Sequence, residues 1–121
     1  MTLSSSDHPL IPRPPATAAA LRAAVARIAP AALPAFTGEL DRAADRALLG
    51  ADPAPLRRFT AQWALYVEIQ RHPRLAARLR EAEQIAATGE EPEARQAAAE
   101  AGRVLDEARA TLVASESPGA D

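Results

Sequence analysis

The chain has 121 residues, 48% hydrophobic and 25% charged, with a net charge of -2. That is the size of one small domain with tails, and the balance excludes collagen-like and wholly disordered chains and any strong general attraction to nucleic acid or anionic lipid. Cysteine, lysine and asparagine are all absent. Their absence excludes disulfides, thiolate zinc sites, cysteine nucleophiles, Schiff-base chemistry and the phosphate-loop lysine.

Residues 1–15 open with Ser4, Ser5 and Ser6 and continue through Pro9, Pro12, Pro14 and Pro15. Three prolines in four residues forbid a helix and favour an extended, polyproline-like tail, which Leu10 and Ile11 can dock onto the body. No apolar run reaches the roughly 20 residues of a membrane span, and the N-terminus lacks the apolar centre of a signal peptide. The expectation is a cytoplasmic protein with no membrane partner.

From 16 to 114 the apolar residues recur at helical spacing, and no window alternates as a strand does. A first helix from about Ala18 to Ala29 starts at a Thr17 N-cap, buries Leu21, Val25 and Ile28, and stops at Pro30. A second begins between Ala32 and Thr37, turns Phe36, Leu40, Ala43 and Ala47 inward, and ends with Gly50 as the residue beyond its C-cap. A third starts from Asp52 and Pro53 and carries the stripe Leu56, Phe59, Trp63, Tyr66 or Val67, and Gln70 to a boundary near His72. A fourth follows almost without a loop, faces inward through Leu75, Leu79, Ala82 and Ala86, and closes at Gly89. A fifth starts near Pro92 behind Glu90, Glu91 and Glu93 and buries Ala97, Ala101, Val104, Leu105, Ala108 and Leu112. Residues 115–121 read as a frayed, disordered tail. The fold expected is all-α, a compact bundle of about five helices over 16–114 with a disordered N-terminal tail. Of the 58 hydrophobic residues 32 are alanine. So thin a core favours self-association or a partner.

Reactive groups are scarce. All the serines (Ser4, Ser5, Ser6, Ser115 and Ser117) lie in the expected tails, and His72 has no hydroxyl or thiol at a motif spacing. His72 reads as a helix-end cap. Glu68 and His72 stand four apart, but a bundle metal site needs more ligands than they supply, so Glu68 reads as an exposed ion pair with Arg71. No catalytic residue, metal ligand or cofactor is assigned, and the chain reads as a non-enzyme.

The charges are uneven. Residues 53–80 hold six arginines against Glu68, whereas 81–121 hold ten acids against three arginines. The bland reading pairs the basic middle with the acidic last helix across the bundle. A sharper one makes Arg71, Arg74 and Arg78, near the junction of the third and fourth helices, a phosphate-contacting patch for nucleic acid. The aromatic stripe Phe59, Trp63 and Tyr66 reads as core, or, at its rim, as anchors for a partner.

The segments HPLIPRPP, LRAAVARIAPAALPAF and PLRRFTAQWALYVEIQRHPRLAARLREAE, spanning His8 to Glu83, together resemble a family of small uncharacterised proteins from Streptomyces and related actinobacteria. The resemblance implies a helical fold and supplies no site residues. Some members look like partners of RelE/ParE-type toxins in toxin–antitoxin pairs. The function expected is a non-enzymatic protein–protein interaction module, an antitoxin-like or regulatory partner of a basic protein, or a homo-oligomer. It would bind through Phe59, Trp63, Tyr66, Glu100, Asp106 and Glu107. The alternative is nucleic-acid binding through Arg71, Arg74 and Arg78.

Overall fold

The computed structural model describes residues 8–116. Among these the fold is all-α, with five α-helices and one short 3-10 turn and no strand. The helices are α1 (Ala18–Ile28), α2 (Leu33–Gly50), α3 (Ala54–Gln70), α4 (Pro73–Thr88) and α5 (Glu93–Glu116), and the turn Pro30–Ala32 links α1 to α2. No helix among the described residues is long and apolar enough to cross a membrane. The expectations for residues 1–7 and 117–121 lie outside the described residues. Ser115 and Glu116, expected in the frayed tail, are helical.

The span expected as one bundle divides into two units, with the boundary between Arg71 and His72. One unit is Leu10–Arg71. The other holds the remaining described residues, 8–9 and 72–116.

The Leu10–Arg71 unit contains α1, α2 and α3. The hydroxyl of Thr17 accepts from the Ala20 N–H at 3.1 Å and starts α1 as its sequence indicates. Pro30 has no N–H to continue the ladder, so α1 ends with Ala29 donating back to Val25 at 2.8 Å. Phe36 is fully buried at the centre and meets Phe59 and Trp63 edge-on, with ring centroids 5.0 and 5.1 Å away. That geometry sets the positive edge of one ring against the negative face of another. Leu21, Val25 and Val67 close the same core, and Ile11 reaches it from the proline-rich segment at 8% exposure. Leu10 is exposed, and it fastens that segment through its backbone instead, donating to the Arg71 carbonyl at 2.7 Å.

The turn between α2 and α3 differs from expectation by one residue. Gly50 is the last residue of α2, and Ala51 takes the left-handed conformation, φ 51° and ψ 45°. Two bonds hold this register: Ala51 donates to the Leu48 carbonyl at 3.3 Å and Asp52 to the Ala47 carbonyl at 3.0 Å, the paired pattern of a Schellman turn. The Asp52 carboxylate then accepts from Ala54 at 3.0 Å and opens α3. One residue thus closes one helix and begins the next, and the glycine one place earlier is left inside the helix.

In the second unit, α4 and α5 pack on a seam of small side chains. Ala76, Ala82, Ala97, Val104 and Ala108 are buried, with Leu75, Leu79, Ala101, Leu105 and Leu112 half-buried beside them. Alanine removes little surface from water but lets helix backbones approach closely. Gly89 ends α4 as expected, donating to the Ile85 carbonyl at 2.7 Å.

Candidate functional site

The residues expected to bind a partner fall into different environments. Phe59 and Trp63 are 5% and 6% exposed, so they belong to the core and cannot serve as anchors for a protein partner. The Trp63 indole N–H is also committed, donating to Glu39 at 2.9 Å. Tyr66 is half-buried and stacks edge-on against Trp63 at 5.0 Å. The expected aromatic docking surface is therefore corrected to core. Helical spacing alone cannot tell a stripe that packs inward from one that waits for a partner.

The acidic residues divide as well. Glu100, half-buried, takes Arg78 at 2.7 Å on one carboxylate oxygen and Arg103 at 3.0 Å on the other. Hydrogen bonds from Arg78 and then Arg103 hold its carboxyl below the usual carboxylate range. Glu100 therefore ties α4 to α5. Asp106 and Glu107 are exposed; Asp106 pairs with Arg109 at 3.3 Å on its own helix, and Glu107 reaches Arg78 only at 3.8 Å. Within 81–116 there are nine acids and three arginines, Arg95, Arg103 and Arg109. Each of those arginines already has an acidic neighbour on or next to α5. Exposed Glu81, Glu83, Glu90 and Glu93 form no ion pair among the described residues.

The basic trio is broken up too. Arg71 is 7% exposed and belongs to the first unit. Its guanidinium donates to Glu68 at 3.0 Å and to the Ile11 carbonyl at 2.9 Å. Arg78 is engaged by Glu100, and Arg74 is exposed on α4. The expectation that Arg71 contacts phosphate is corrected: a buried guanidinium committed to Glu68 and the Ile11 carbonyl presents nothing to a polyanion. The bridge from Arg78 to Glu100 is the pairing of basic middle with acidic helix that the charge distribution suggests.

Sequence reasoning missed the buried charge cluster around Glu68. The Glu68–Arg71 pair forms as its spacing indicates, but Glu68 is 2% exposed. Arg13 supplies a second fork, at 2.8 and 3.0 Å to the two carboxylate oxygens. Burial pushes the Glu68 carboxyl up, but the bonds and charges of Arg13 and Arg71 outweigh it and hold the pKa below its ordinary value. The same contact raises Arg13. The available signal was that Glu68 is the one acid between residues 53 and 80; its other partner lay in what read as a tail. His72 contributes its backbone as the N-cap of α4, its carbonyl accepting from Ala76 at 3.0 Å.

No protein-family model, curated protein or solved structure matches this chain.

Proposed function

We propose that the chain is a non-enzymatic binding module that grips a basic protein through the acidic surface of its α4–α5 unit. The surplus of exposed carboxylates carries this reading. Residues 72–116 hold nine acids against six arginines, and Glu81, Glu83, Glu90 and Glu93 form no ion pair among the described residues, with Glu107 only loosely held. Such a surface steers a cationic partner and fixes its orientation. An antitoxin-like or regulatory role in the cytoplasm, opposite a RelE/ParE-type toxin or another basic protein, fits that chemistry and the resemblance of the chain. The contact residues are Asp106 and Glu107 with the unpaired glutamates; Glu100 serves by holding the unit together.

The test is affinity capture from the native host across a salt series, followed by titration of the purified partner. A basic protein should be recovered, and its binding should weaken as salt rises. The double variant Asp106→Arg, Glu107→Arg should lose at least about tenfold in affinity with unchanged helicity. Salt-independent binding, or full affinity in the double variant, would sink the proposal.

A further inference from the structure

The Leu10–Arg71 unit carries a second charged feature, independent of the acidic surface. Helices α2 and α3 face each other across a groove of about 400 Å³. Each contributes one stripe at the i, i+3, i+4, i+7 spacing of a single helix face. Ala43 and Phe59, both buried, form an apolar floor. Arg42 and Arg46 from α2 and Arg58 from α3 line the groove above it, all three exposed. Glu39 and Gln62 complete the end nearest Trp63.

The three guanidiniums form no ion pair among the described residues, although Asp41 and Asp45 lie on the same helix as two of them. Like charges four residues apart, as Arg42 and Arg46 are, work against a helix by a few tenths of a kcal/mol. Gathering a third beside them adds to that repulsion. Among the described residues these guanidiniums hold no ion pair, unlike those of Arg71 and Arg78. The groove thus collects three positive charges against the single carboxylate of Glu39, an excess of two.

We infer that this groove is a binding site for a small phosphomonoester, the Arg42, Arg46 and Arg58 guanidiniums taking the phosphate and the Ala43–Phe59 floor supporting the body that carries it. A phosphomonoester is close to a dianion at neutral pH, which matches the excess charge. Planar guanidinium forks suit its oxygens better than any other side chain does. A volume of about 400 Å³ exceeds what phosphate alone fills and falls in the range of small-ligand sites. The remainder suits a sugar or nucleoside, with the Gln62 amide and the Glu39 carboxylate oxygen that does not hold Trp63 available to hydroxyl groups.

The fluorophore for the test is built in. Trp63 is the only tryptophan, and its indole N–H rests on Glu39. Titrating the full chain at low salt with ribose phosphate or adenosine monophosphate should change Trp63 emission and release heat, while ribose alone does neither. Arg46→Gln and Arg58→Gln should each raise Kd by about tenfold, as expected for losing a charge-assisted contact. Arg58→Lys should retain part of the binding. Far-UV helicity should stay the same in all three, since these side chains are exposed. Absence of any response to millimolar phosphomonoester overturns the assignment, as does undiminished affinity in Arg46→Gln and Arg58→Gln together. Tighter binding of a single-stranded oligonucleotide than of the monoester overturns it as well, because the groove would then be tracking a polymer backbone.

Discussion

A carboxylate at 2% exposure must be matched in charge and in hydrogen bonds, and Glu68 is matched twice over by Arg13 and Arg71. Removing it would strand a buried arginine. Glu68→Gln is expected to destabilise the chain by about 3 kcal/mol, the low end for breaking a buried pair, because Arg13 keeps 31% of its side chain in water. Urea unfolding of the variant measures this. The pKa of Glu68 also sets a pH dependence. Its folded value lies below its unfolded one, so its contribution is complete above the ordinary carboxylate range and is lost as pH falls through the folded value. The wild-type urea midpoint should therefore fall on acidification more steeply than that of Glu68→Gln. Parallel slopes would remove Glu68 from the acid response.

At the scale of an element, the α2–α3 turn shows how hydrogen bonds can overrule residue preference. Glycine is the usual residue for left-handed backbone, yet Ala51 occupies that conformation and Gly50 does not. The cost at Ala51 is about 1–2 kcal/mol, and a glycine there would return about 0.5–1 of it as lost backbone entropy. Ala51→Gly should thus stabilise the chain by roughly 0.5–1 kcal/mol. A Cβ at Gly50 meets nothing within 4 Å, and alanine is the better helix former. Gly50→Ala should therefore add up to about 1 kcal/mol. Thermal or urea unfolding of the two single variants checks both. Destabilisation by Gly50→Ala would mean that the turn closes one residue earlier, as residue preference alone suggests.

At the scale of the molecule, the two units have unequal cores. Leu10–Arg71 buries Phe36, Phe59, Trp63, Leu21, Val25 and Val67 in one cluster. The seam between α4 and α5 buries four alanines among Ala76, Ala82, Ala97 and Ala108, plus Val104. Apolar area sets the driving force for folding, so a fragment spanning 8–71 should keep its helicity and a buried, blue-shifted Trp63. A fragment spanning 72–116 should lose most of its helicity when isolated, because short helices are marginal without a substantial packed face. Circular dichroism of the two fragments distinguishes these outcomes. A fully helical 72–116 fragment would show that the alanine seam, with the Arg78–Glu100 bridge, suffices.

Local chemistry was readable directly from the chain. The Thr17 cap, the stops at Pro30 and Gly89, the Asp52 start of α3 and the buried stripe Ala97, Val104 and Ala108 each depend on residues a few positions apart, whose interactions any α-helix imposes. Whether an inward-facing stripe is covered, and by what, depends on neighbours tens of residues away. That is why Phe59 and Trp63 could read as anchors, and why Arg71 could read as a phosphate contact before Ile11 and Glu68 claimed it. Arg13 and Glu68 are 55 residues apart, and the groove of Arg42, Arg46 and Arg58 joins two helices. Helical periodicity is written in the order of side chains; the pairing of charges across the fold exists only once chain closure brings distant residues within a few ångströms.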